Sequence, residues 1–120
     1  MKPNEFIGLL FLARDVAHSV HLNTRSFAKH MALNTFYEEV IPLADKFAEA
    51  YQGKYSLLGN IALQGVKSTG NITEFLQGQV EAITEGRYTV VDRDCTALQN
   101  IIDEIVGLYY STIYKLRFLS

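Results

Sequence analysis

The strongest constraint in this chain is a seam of apolar residues repeating in alternating steps of four and three. Phe6, Leu10, Ala13, Ala17, Val20, Thr24, Phe27 and Met31 keep that rhythm without interruption. Leu98, Ile101, Ile105, Leu108, Thr112, Leu116 and Leu119 repeat it near the other end. An α-helix turns once every 3.6 residues, so this spacing gathers apolar side chains into one stripe and leaves the other faces polar. Two such stripes require helix packed on helix, which predicts an all-α chain. Each seam carries one polar member near its middle, Thr24 and Thr112.

The first seam predicts one continuous helix over 4–33, about 45 Å long at 1.5 Å per residue. A break at Asn23-Thr24 would have neither Gly nor Pro to support it. Asn34 and Thr35 then punctuate the chain, and Thr35-Phe36-Tyr37-Glu38 reads as a capping box opening a second helix to about Gln52. That helix is expected to bury Tyr37, Val40, Ala44, Phe47 and Tyr51, to kink at Pro42 and to end at Gly53. Residues 54–70 carry Gly59, Gly65 and Gly70 without a clean period, as a crossover with room for one short helix would. Asn71 to Glu74 cap a third helix that buries Ile72, Leu76, Val80 and Ile83 and stops at Gly86. RYTVV follows as a connector, and Asp94 caps a fourth helix from Cys95 almost to the end. The expected architecture is a single domain over 1–120: a four-helix bundle with a long connection between helices 2 and 3.

Charge and composition narrow the function classes. A net charge of −2 gives no basis for duplex-wide attraction to nucleic acid. The single cysteine, Cys95, excludes an internal disulfide and favours a reducing, cytoplasmic setting. The apolar run GLLFLA leads straight into Arg14 and Asp15, which argues for neither a signal peptide nor a membrane span. Without a secretion signal, the acceptor pattern Asn71-Ile72-Thr73 is taken as chance. No P-loop, G-x-G-x-x-G, H-E-x-x-H or Ser-His-Asp pattern supports a hydrolase or kinase. Two long seams, seven Tyr and seven Phe are much to bury in 120 residues. Part of that surface is expected in a homo-oligomer interface.

Most chemistry-bearing side chains lie between Ala17 and Gly53. Arg14, His18, His21, Arg25 and Lys29 share one basic ridge beside the first seam, with His21 nearest the core. Glu38, Asp45, Glu49 and Gln52 form an acidic ridge on the second helix. Asp103, Tyr110, Tyr114 and Arg117 form a mixed ridge on the last. Cys95 stands at a helix start without a partner base in the sequence and is read as structural.

The spacing of His18, His30, Asp45 and Glu49 resembles that of Dps-type mini-ferritins, which oxidise and store iron in oligomeric shells. Two histidines twelve apart, an Asp fifteen further on and a Glu four beyond it reproduce the intervals of that family's ferroxidase ligands. The resemblance implies histidines from one subunit and carboxylates from its neighbour. The text HLNTRSFAKHMALNTFYEE and the ending YKLRFL are also similar to small helical proteins of tailed phages, some of them labelled ferritin-like. That likeness implies the cytoplasm of a host cell. On one continuous helix His18 and His30 would stand about 18 Å apart, so a metal could not join them within one subunit.

Two functional expectations follow. The first is a metal-binding oligomer with His18, His21, His30, Asp45 and Glu49 as iron ligands and Glu38 in reserve, acting as a ferroxidase if the site forms. The second is a non-enzymatic oligomer that binds a small anion such as a nucleotide signal, in effect an anti-defence sequestration device. Its grip would come from Arg14, His21, Arg25, Tyr110, Tyr114, Lys115 and Arg117, because arginine forks suit phosphate and tyrosine rings suit bases. A purely structural module, whose ridges only pair subunits, is the third alternative.

Overall fold

The stretch expected as one helix over 4–33 is two helices meeting at a tight turn. The computed structural model describes residues 1–66 and 70–119; in it α1 covers Pro3–Asn23 and α2 covers Phe27–Lys54. Thr24 and Ser26 are extended, with ψ of 147° and 119°. Three short polar side chains make this break without Gly or Pro. Asn23 Nδ2 donates to the Ser19 carbonyl at 2.7 Å, Thr24 Oγ1 accepts the Ser26 N–H, and Ser26 Oγ accepts the Lys29 N–H. These bonds satisfy backbone groups that every helix end leaves without partners.

The break re-phases the seam. Phe6, Leu10, Ala13 and Ala17 are buried as expected, but Phe27 is 75% exposed and Met31 46%. The buried side of α2 is Ala32, Leu33, Phe36, Val40, Ala44 and Phe47. No capping box opens at Thr35: it lies inside α2, where its hydroxyl donates to the Met31 carbonyl. The helix also runs through Pro42 and past Gly53.

The third and fourth helices follow their patterns more closely. α3 covers Ile72–Val90, and Asn71 Oδ1 accepts the Glu74 N–H at 3.0 Å as the cap predicted. It does not stop at Gly86: most of RYTVV is helical. Gly86 packs on the Met1 side chain, and Thr89 Oγ1 bonds the Gly86 carbonyl and the Met1 amine. α4 covers Thr96–Phe118 with Cys95, not Asp94, as its N-cap. Its seam is buried except for half-buried Leu108 and exposed Leu119.

Contacts along the helices set their directions. Met1 meets Thr89 and Leu9 meets Gln79, so α1 and α3 are antiparallel. Lys54 meets Cys95, Lys46 meets Glu104 and Phe36 meets Tyr109, so α2 and α4 are antiparallel in a constant register. α2 and α3 therefore run the same way, and the connection between them must travel the length of the bundle. This is the ordering of a four-helix bundle with one long crossover. The crossover is held to α1 by Asn4, whose side chain donates to the Asn60 carbonyl and whose own carbonyl accepts from Ala62. A Cβ at Gly8 would run into the Ala62 carbonyl, so this close approach requires glycine. The short helix allowed for in this connection does not form among the described residues, and 67–69 lie outside them.

The bundle centre is apolar and aromatic. Phe6 meets Phe47 edge-on at 5.0 Å, and Phe36 meets Tyr109 edge-on at 5.1 Å. Tyr109 is fully buried, and that burial pushes its phenol well above the usual range, so the hydroxyl stays protonated. It donates to Gln79 Oε1 at 2.6 Å, and Gln79 Nε2 donates to the Leu9 carbonyl. That chain ties α4, α3 and α1 through one satisfied polar thread. No carboxylate is buried among the described residues. Di-iron bundles project glutamates and Glu-x-x-His pairs into this space; here phenyl rings fill it.

Candidate functional site

The turn between α1 and α2 collects all three histidines. His21 and His30 stack with ring centres 3.6 Å apart, and His18 lies 5.9 Å from His21. His21 Nδ1 is 2.7 Å from the His30 carbonyl, and His30 Nδ1 is 2.9 Å from the His21 carbonyl. A carbonyl only accepts, so both Nδ1 atoms carry protons and both Nε2 atoms are left for other partners. The His21 carbonyl belongs to the last turn of α1, where no helix donor follows, so the clamp also completes the helix end. The expected separation of about 18 Å between His18 and His30 therefore does not hold, because the chain reverses between them.

Tyr37 completes the cluster. It is half-buried on α2, its ring stacks on His18 at 4.2 Å and its hydroxyl donates to Asn34 Oδ1. Arg14 places its guanidinium 5.6 Å from the Tyr37 ring centre while pairing with exposed Asp15 at 3.2 Å. Phe27 stacks loosely beyond His30 at 6.4 Å. The sequence reading assigned Tyr37 to the core stripe. Four residues from Leu33 and three from Val40, it keeps the spacing of the stripe, and the structure leaves it half-buried. Residues 16–37 contain no Asp or Glu, so no acid from this stretch neutralises Arg25, Lys29 or the imidazoles. Such a corner offers aromatic faces for stacking and cations for an anion.

The other expected ligands lie elsewhere in the same chain. Asp45 and Glu49 are exposed on α2, about 22 and 28 Å along the helix from His30 at 1.5 Å per residue. Glu38 is exposed as well. Among the described residues, no three or more His, Cys, Asp and Glu side chains are grouped to hold a metal ion. One chain thus supplies imidazoles without carboxylates. Tyr110, Tyr114, Lys115 and Arg117 lie on α4, which stands diagonally across the bundle from α1 and does not touch it. α4 packs on α2 instead, so these residues are not brought onto Arg14 or His18 of α1.

Two further features flank the bundle. Buried Cys95 lies 3.2 Å from Lys54 Nζ at the start of α4. Donation by the Leu98 N–H, helped by Lys54 and Tyr55 and opposed by burial, holds its thiol below its ordinary range. Lys54 is raised in turn, chiefly by its bond to Cys95. A groove of about 760 Å³ runs between α1, residues 64–66 of the crossover and the start of α3, lined by Asp15, Ser19, Asn23 and Lys29 among others. Arg14 and the three histidines are not part of it.

Comparison with known proteins places this geometry in a lineage. Residues 21–116 match the family model DUF5856, a family of unknown function. The chain belongs to that family. It is also 30% identical over 115 residues to an uncharacterized 14.6 kDa protein from the mobD-ri intergenic region of Enterobacteria phage T4. That match covers 96% of this chain and 88% of the phage protein. No solved structure matches. The family segment begins at His21 and takes in His30, Tyr37 and all of α2 and α3. No described helix is long and apolar enough to cross a membrane.

Proposed function

We propose that this member of DUF5856 is a non-enzymatic helical oligomer that takes a small anion of the nucleotide class at the α1–α2 turn. The observation that carries the reading is the stack of the Arg14 guanidinium, Tyr37 and His18 at a turn whose stretch 16–37 has no acid and also carries Arg25 and Lys29. A base has aromatic rings to stack with, and Arg25 and Lys29 make no ion pair among the described residues, while Arg14 is held by Asp15. Tyr110, Tyr114, Lys115 and Arg117 join the grip from another subunit. The likeness to a phage protein supports action in the host cytoplasm, where sequestering a nucleotide signal of host defence is the role this ligand class implies.

The test is a thermal-shift series with ATP, a cyclic dinucleotide, tripolyphosphate and ferrous iron. Nucleotides near a hundredfold over their dissociation constant should raise the melting temperature by about 5 °C or more, with Arg14→Ala and His18→Ala abolishing the rise. A shift with iron and none with any phosphate would reject the reading.

A second reading, a Dps-like iron oxidase and store, is favoured by the reciprocal histidine clamp. Metal-binding histidines donate one ring N–H to a carbonyl and keep the other nitrogen for the metal, as His21 and His30 do here. The donors of a single chain do not fit an iron site. Asp45 and Glu49 would have to arrive from a neighbouring subunit beside His18, His21 and His30. Metal analysis of the purified protein and ferrous-iron consumption under air decide it.

A further inference from the structure

The re-phased seam leaves apolar side chains outside at one end of the bundle. Leu22 is 70% exposed, Phe27 75%, Phe118 66%, Leu119 52% and Met31 46%. The register of α2 on α4 brings Phe27 level with Phe118 and Met31 level with half-exposed Tyr114, and the histidine clamp brings Leu22 level with Lys29. These residues therefore share one end. At about 200 Å² for a large side chain, they leave on the order of 700 Å² in water, close to the ~800 Å² that each partner gives a standard interface.

The same end is cationic. Residues 16–37 and 105–119 contain no Asp or Glu but carry Arg25, Lys29, Lys115 and Arg117. The first carboxylates met going down the bundle are Asp15, which Arg14 holds, Glu38 and Glu74. An apolar patch of this size favours a second copy, while like charges on both copies oppose it. A multivalent anion placed between them removes the opposition.

We infer that two copies dock end to end on this surface only when a polyphosphate-bearing anion bridges them, Arg25, Lys29, Lys115 and Arg117 of each copy closing on it. The inference rests on the anion reading above and makes the site incomplete in one chain. It also gives α4, which packs on α2 and does not touch α1, a part in the ligand site.

Sedimentation equilibrium of the full chain at fixed ionic strength tests it, with ATP, tripolyphosphate or sodium chloride alone. Either polyanion should tighten dimerisation about tenfold or more, because a ligand that prefers the dimer must favour its formation equally. Phe27→Asp and Phe118→Asp alter exposed side chains, so circular dichroism should stay unchanged. Each should abolish the dimer, while Arg25→Glu should remove the response to the anion. ATP bound by a chain that stays monomeric, seen as a thermal shift without association, overturns the inference and leaves the site reading standing. A dimer indifferent to polyanion, or flotation of the monomer with phosphatidylglycerol vesicles through Phe27 and Phe118, overturns it as well. Failure to respond to any polyanion removes both.

Discussion

The two tight turns of this bundle sit at opposite ends and handle polar groups in opposite ways. At the α3–α4 turn Arg87 and Gln99 spend their donors inside the chain, while Arg93 lies over the Tyr88 ring at 3.8 Å. Arg87 donates to Gln99 Oε1 at 2.8 Å, to the Gln99 carbonyl at 2.9 Å and to Asp103 at 2.7 Å. Gln99 Nε2 returns bonds to the Arg87 and Val91 carbonyls. At the α1–α2 turn the two Nδ1 atoms and the short side chains of Asn23, Thr24 and Ser26 are spent, while the guanidinium and ammonium groups of Arg25 and Lys29 make no ion pair among the described residues. One turn is closed on itself. The other keeps chemistry for something outside the chain, and that contrast locates the candidate site.

The contrast is sharpest in stability. Gln99→Ala should cost about 2–3 kcal/mol in urea denaturation, since it strands buried donors and acceptors on both helices. His30→Ala should cost less, about 1 kcal/mol, because its carbonyl partner sits beside solvent at a helix end. If His30→Ala matched or exceeded Gln99→Ala, the histidine turn would be a structural clamp like its counterpart and the site reading would weaken. Removing His18, which makes no hydrogen bond to the backbone, should change stability by less than about 0.5 kcal/mol yet abolish the nucleotide-induced thermal shift.

The smallest expected effect concerns Cys95, close to the closed end. Its folded thiol titrates below its ordinary value, so the folded state releases the proton first as pH rises. The stabilisation is therefore gained on passing upward through the folded value, is complete above the unfolded one, and is lost again as pH falls. Lys54, raised, keeps its contribution below its ordinary value and loses it only at higher pH. The stability difference between the native chain and Cys95→Ser should widen from pH 7 to pH 9 in denaturant titrations. A flat difference would mean that Lys54 and the Leu98 N–H do not hold a thiolate.

Much of this was legible before any coordinates. The period of the α4 seam located five of the ten buried residues of that helix, and Asn71 marked the start of α3, because caps and stripes are local properties of ten or so neighbouring residues. Four helices and a long second connection follow from the same reasoning. The turn at Thr24–Ser26 was hidden because the apolar rhythm happens to continue through it. Short polar side chains supplied the capping bonds that Gly or Pro usually announces. The polar thread of Tyr109, Gln79 and Leu9 was equally silent, since a buried glutamine looks like any surface one in a list of letters.

What the sequence determined by itself is therefore the set of helices and the sign of charge along each, which depend on spacing and composition. Only the tertiary structure decided which side chains meet. Reversing the chain at one three-residue turn folded three histidines into a stack and turned two seam residues out to solvent. It also left Asp45 and Glu49 of α2 more than about 20 Å along the helix from His30. Contact is a property of chain direction in space, and a helical period carries no information about where the next helix points.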